Sequence, residues 1–107
     1  MKMLTAIVNK KDVNEVSIAL SDAGFEFTKM STSGGFLRAG NVTLLIGTED
    51  EKVEEALSLI RKNCCRRMEM VPSVIAAPIP AALSYMTEVP VGGATVFVTD
   101  VVRFEKM

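Results

Sequence analysis

Residues 33 to 41 read Ser-Gly-Gly-Phe-Leu-Arg-Ala-Gly-Asn, so three glycines, an aromatic ring, an arginine and an asparagine fall close together. Glycine lets the backbone take a positive φ and lets another molecule approach it closely. The Arg38 guanidinium is a fixed cation with planar, forked donors. Phe36 offers a flat apolar face, and Asn41 both donates and accepts hydrogen bonds. The set suits a planar, anionic ligand; it also suits a plain irregular hairpin. A second glycine pair, Gly92-Gly93, sits near the start of Val91-Gly-Gly-Ala-Thr-Val-Phe-Val98 and would let a ligand or a neighbouring backbone come close. Thr28, just ahead of the first stretch, carries a hydroxyl able to donate to a phosphate.

Catalytic chemistry finds little support. The chain has no histidine, so the commonest general base and metal ligand is missing. Ser31, Thr32 and Ser33 therefore lack a triad partner. Glu49, Asp50, Glu51, Glu54 and Glu55 read as a helix start and its solvated face, not as an acid/base pair. Gly34-Gly35 is not followed by a helix, and no Walker lysine-serine pair exists. Cys64 and Cys65 are neighbours, a spacing that disfavours a disulfide between them. They read as reduced thiols at a helix end, and no Cys/His spacing suggests zinc. The expectation is a binding module with no catalytic residue, no metal site and no cofactor.

Composition sets the frame. The 107 residues allow one domain, expected to span 1–107. Apolar residues make up 49% of the chain, and the mean hydropathy is +0.29. That richness suggests apolar surface buried between subunits, a tightly packed monomer being the alternative. Twelve basic and thirteen acidic residues, net charge −1, argue against a nucleic-acid binder. The N-terminus turns polar too soon for a signal peptide. No apolar run approaches the roughly 20 residues of a membrane span. A soluble cytoplasmic protein is expected.

The elements that must position these groups follow from periodicity. Leu4 to Val8 reads as a buried strand. Asn9 to Asp12 supplies turn and cap chemistry. Val13, Val16, Leu20 and Ala23 recur at helical spacing, widened by Ile18 and Ala19, and Gly24 stands where a glycine ends a helix. A second strand is expected from about 25 to 32, and a third from Asn41 to Gly47. Thr48 then reads as a helix cap with Glu51 at the capping-box position. Val53, Ala56, Leu57 and Ile60 form the buried stripe of a second helix, with Arg61, Lys62, Arg66 and Arg67 as its solvated basic end. All four prolines lie between 72 and 90. The segment from about 68 to 90 is therefore expected as a long loop, with an edge strand near Met68 to Val71. A final strand begins at Val91, and its apolar pattern runs on to Val102 and Phe104. The order strand-helix-strand-strand-helix-strand is the ferredoxin-like α+β pattern. It predicts a four-stranded antiparallel sheet with two helices on one face and the other face open to association.

The strings Thr32-Ser-Gly-Gly-Phe-Leu-Arg-Ala-Gly-Asn41 and Val91-Gly-Gly-Ala-Thr-Val-Phe-Val98, with Thr28-Lys29 ahead of them, resemble the PII-like cyclic di-AMP receptors of Gram-positive bacteria. The resemblance covers nearly the whole chain. It implies a ferredoxin-like protomer, a homotrimer, ligand sites in the clefts between subunits, and non-catalytic signal transduction in which ligand reorders long loops that engage an unknown downstream protein. It implies that Thr28 contacts a phosphate and that Gly35, Phe36 and Leu37 wrap an adenine. Asn41 would bond a base or hold the loop, and Gly47 would line the cleft. Gly92 and Gly93 would close the site from a neighbouring subunit. Arg38 would either supply charge or brace its loop.

The chain departs from that family at two positions ahead of Thr28. Gly24 and Glu26 stand where members binding cyclic di-AMP tend to carry asparagine and arginine. An acid in place of a cation near a phosphate costs on the order of 1 kcal/mol in a partly solvated cleft. Phe27 adds bulk where small residues are usual. Two functions follow: a trimer that binds cyclic di-AMP or a related adenine nucleotide between subunits, or a trimeric interaction module with a different effector or none.

Overall fold

The computed structural model describes residues 1–32, 40–64, 67–72, 86–91 and 93–107, and for 32, 67–72 and 86–91 it describes the backbone. Strand β1 spans Lys2–Asn9, helix α1 Val13–Asp22, β2 Phe27–Thr32 and β3 Asn41–Thr48. A 3-10 turn, Asp50–Lys52, leads into α2, Val53–Asn63. Strands β4 (Arg67–Pro72) and β5 (Met86–Val91) follow, then β6 (Ala94–Asp100). Strands β2, β3, β1 and β6 form one sheet in that order, and every neighbouring pair in it is antiparallel. This is the ferredoxin-like α+β arrangement that the element order predicts.

One face of the sheet carries the core. Leu4, Ala6 and Val8 of β1 and Leu44 and Ile46 of β3 are fully buried there. They pack with Val16 and Leu20 of α1 and Ala56 and Ile60 of α2. The strand residues alternate because successive side chains leave a strand on opposite faces. The helix residues recur every three or four positions because those share one side of a helix. Ile18 is 61% exposed, against the expectation that it widens the α1 stripe. It lies two positions from both Val16 and Leu20, which turns it to the opposite side of the helix.

The end of α1 is a Schellman motif. The Gly24 N–H donates to the Ser21 carbonyl at 3.0 Å and the Phe25 N–H to the Leu20 carbonyl at 2.9 Å. Gly24 takes φ +86°, and Phe25 is buried beside Leu20 in the core, which is the apolar contact this motif favours. Strand β2 therefore starts at Phe27, two residues later than the β-forming residues suggest, because Phe25 is held by the cap. A Cβ on Gly24 would meet nothing within 4 Å, so its effect is purely conformational. Gly24→Ala is expected to cost about 1–2 kcal/mol, read as a lowered urea midpoint with an unchanged m-value.

Thr48 does not cap a helix. It is the last residue of β3, pairs with Lys2 and is buried, and neither the 3-10 turn nor α2 has a side-chain cap bond. Asp50 instead accepts from the Met1 ammonium at 2.8 Å. That bond raises the pKa of the amino terminus and holds the Asp50 carboxyl below its usual range. The signs follow. The depressed carboxyl contributes stability above its unfolded pKa, lost as pH falls through the folded one. The raised amine contributes below its unfolded pKa, lost as pH rises through the folded one. Asp50→Asn is expected to lower the neutral-pH melting temperature slightly, with the difference from the parent chain vanishing in acid and in alkali.

The proline-bearing region contains more strand than expected. Its described ends, β4 and β5, pair antiparallel from Arg67↔Val91 to Pro72↔Met86 as a separate two-stranded ribbon. Both strands of such a ribbon are edges, so Pro72 and Pro90 each find a place without a missing ladder bond in a sheet interior. Residues 73–85 lie outside the described set. The final sheet strand starts at Ala94, not Val91, because Val91 belongs to the ribbon and Gly93 turns the chain with φ +77°. It stops at Asp100, not Phe104. Asp100 pairs with Lys2, and the last ladder contact is the Val101 N–H to the Met1 carbonyl at 3.1 Å. Val102 and Phe104 are exposed. Cys64 is buried at the end of α2; Cys65 lies outside the described residues.

Candidate functional site

The face of the sheet turned away from the helices is fixed by register. Cross-strand partners share a face, so Thr28 and Met30 of β2 lie with Asn41, Thr43, Leu45 and Gly47 of β3. Met3, Thr5, Ile7 and Asn9 of β1 continue the face, and Thr95, Phe97 and Thr99 of β6 complete it. None of these residues is charged, although Asp, Glu, Lys and Arg make up 23% of the chain. The face is a mixture of threonines and large apolar groups. Met3, Met30 and Phe97 are exposed on it, Phe97 to 45%.

Of the residues singled out from the sequence, Thr28, Asn41, Gly47 and Gly93 are described; Gly35, Phe36, Leu37, Arg38 and Gly92 lie outside the described residues. The four fall into two groups. Thr28 is opposite Leu45, which makes Gly47 its diagonal neighbour, about 7–8 Å away. Asn41 is opposite Thr32, four residues further along β2, and so lies about 13 Å from Thr28. It is six residues along β3 from Gly47, about 20 Å. Gly93 precedes Ala94, the partner of Val8, and Asn9 is the partner of Asn41. Gly93 therefore flanks the Asn41 end, two strand spacings or about 10 Å across the sheet. Thr28 and Gly47 mark one end of the uncharged face, and Asn41 and Gly93 the other.

Beside the Thr28 end is an open depression of about 230 Å³, lined by Met1, Gly24, Phe25, Glu26, Gly47, Thr48, Glu49 and Lys52. Gly24 and Glu26, the two positions where the chain departs from the resembled family, are thus both on its wall. A Cβ on Gly47 would lie 3.3 Å from the Met1 Cε, so the Met1 side chain would have to shift by a few tenths of an ångström. The charges around the depression are mixed. Glu26 and Glu49 face Lys52 and the amino terminus, and the latter is engaged by Asp50. Sequence reasoning missed Met1, Glu49 and Lys52, because only the β1–β3 register and the late start of α2 bring them beside Gly47.

The Asn41 end is built differently. The Lys10 N–H donates to the Gly40 carbonyl at 2.8 Å, closing the β1–β3 ladder just past Asn9↔Asn41. The Lys11 N–H donates to the Asn9 side-chain oxygen at 2.8 Å, an Asx turn that starts the path into α1. Gly40 takes φ +100°, so β3 is entered through a left-handed residue. This end has two positive-φ glycines, Gly40 and Gly93, each just ahead of a strand that flanks β1. Among the described residues no helix is long and apolar enough to cross a membrane.

Comparison with known proteins covers the same span. A family model described as a cyclic-di-AMP receptor matches residues 1–107. Among solved structures, the chain is similar to the crystal structure of a functionally unknown protein from Pediococcus pentosaceus ATCC 25745, with 42% sequence identity and a TM-score of 0.76. That likeness covers 99% of this chain and 96% of the other.

Proposed function

The chain belongs to the cyclic-di-AMP receptor family, and from that premise we propose that it binds cyclic di-AMP, or a related adenine nucleotide, without catalysis, in clefts between the subunits of a homotrimer. One observation carries the shared-cleft reading. The described site residues stand at opposite ends of one uncharged face, with about 20 Å between Gly47 and Asn41. A compact dinucleotide does not reach from Gly47 to Asn41 on one protomer. In this reading the Thr28 end of one copy meets the Asn41 end of the next across that face, which buries a surface on which no charge has to be desolvated. Phe36, Leu37 and Gly35 then wrap the adenine, Arg38 supplies charge or braces its loop, and Gly92 and Gly93 close the cleft.

The acids of the depression favour a second reading. Glu26 and Glu49 line the depression with Gly47, where a phosphate would meet repulsion, and this suits a trimeric interaction module with another effector. A melting experiment with cyclic di-AMP, ATP and AMP, run with light scattering, separates the two. The first reading predicts a trimer and a selective rise in melting temperature. A ligand at 100 times its Kd adds about 2.7 kcal/mol. A trimer whose melting no adenine nucleotide shifts at high micromolar concentration leaves the second reading standing.

A further inference from the structure

We propose that the outer edge of β6 is a strand-addition site for an extended, uncharged segment of a partner protein. Register and one backbone bond fix which groups that edge presents. One step past Lys2↔Asp100, the Val101 N–H donates to the Met1 carbonyl. Antiparallel partners alternate between pairs that exchange hydrogen bonds and pairs that do not. Thr95, Phe97 and Thr99 therefore bond β1, while Ala94, Val96, Val98 and Asp100 turn their N–H and C=O groups away from it. Among the described residues β6 is the end strand of its sheet, so those outward groups meet no further strand.

Natural sheets guard such edges with lysine, proline, a bulge or a cover. The β6 sequence Ala-Thr-Val-Phe-Val-Thr-Asp contains neither lysine nor proline. It stays in step with β1 from Ala94 to Asp100, without a bulge, and its one charge, Asp100, is held by Lys2. The other edges are guarded. The Lys10 N–H bond to the Gly40 carbonyl sets the same alternation on β3, which turns Phe27, Lys29 and Ser31 outward on β2 and puts a lysine in the middle of that edge. Each strand of the β4–β5 ribbon contains a proline. Pairing β6 with β6 of a second copy joins chains two by two and cannot satisfy every edge of the trimer proposed above, a step that rests on that reading. A segment of another protein remains, and the edge defines its chemistry. Val98 is on the helix side with its partner Leu4, yet it is 43% exposed where Leu4 is fully buried. Phe97, on the opposite face, is exposed as well. An added strand with apolar residues on both faces covers both, its main chain supplying the hydrogen bonds.

Amide hydrogen exchange followed by NMR tests this, on the unaltered chain alone and with a lysine-flanked peptide of alternating valine and threonine, about six residues long as in a typical strand. Alone, the Val96 and Val98 amides should exchange fast and those of Thr95, Phe97 and Thr99 slowly. The peptide should slow Val96 and Val98 by about tenfold or more, and the same peptide N-methylated along its bonding edge should not. Val98→Pro takes away one outward N–H and no bond to β1, so it should abolish the peptide effect while the Phe97 amide stays slow. Slow Val96 and Val98 amides in the chain alone would mean that this chain or a second copy already covers the edge, and would overturn the proposal. A peptide that leaves them fast, or that acts equally when N-methylated, would overturn it too. A mass other than that of a trimer overturns the trimer reading, and the exchange rates then decide the edge without it.

Discussion

Thr28→Ala is expected to weaken cyclic di-AMP binding by about 10–100-fold, the loss for a hydroxyl donating to a charged group at about 1.5–3 kcal/mol. Thr28→Ser should recover most of it. Thr28 is exposed on β2 and belongs to no part of the core, so the melting temperature without ligand should stay within a degree or two of the parent chain. Phe36→Ala should cause a loss of similar size through the adenine face, since stacking on an aromatic ring contributes about 1–3 kcal/mol per base. Titration calorimetry of the three variants reads both effects. Parent-like affinity in Thr28→Ala and Phe36→Ala would mean that the ligand lies elsewhere.

Ile7→Glu is expected to break the assembly. Ile7 lies on the central strand β1, opposite Thr43 and Thr95, in the middle of the uncharged face. An unpaired carboxylate buried there costs about 3–5 kcal/mol per subunit, which a small interface does not withstand. Light scattering should show the mass fall from three times the 11.6 kDa chain to one. Because Ile7 is only half-buried in the protomer, the far-ultraviolet circular dichroism should be retained, and Ile7→Val should stay trimeric. An Ile7→Glu protein that keeps the trimer mass would place the subunit contact on another surface.

Much of this fold is legible because local rules and tertiary contacts agree. Leu4 to Val8 alternate, and Leu4, Ala6 and Val8 are buried. Gly24 ends a helix in a way its neighbours reinforce. Where the reading from sequence falls short, a contact distant in sequence decides. Thr48, Glu49 and Glu51 have the pattern of a capping box, but β3 runs on to Thr48 because Lys2 is there to pair with it, and Asp50 is drawn to Met1. Val102 and Phe104 continue a strand pattern, but the pairing with β1 ends at Lys2↔Asp100. The ribbon of β4 and β5 is masked by its prolines, which mark loops in a sheet interior and are tolerated in a strand with one free edge. The candidate site is proposed from residue types at Thr28, Asn41, Gly47 and Gly93. Its division into two ends is not legible from them, because it depends on the register of three strand pairs.

Titration calorimetry of cyclic di-AMP into the intact chain, with the oligomer mass measured on the same sample, bears most directly on the central claim. The account predicts saturable heat, one ligand for each subunit, and a mass of three chains. No heat at high micromolar ligand from a well-folded sample would contradict it.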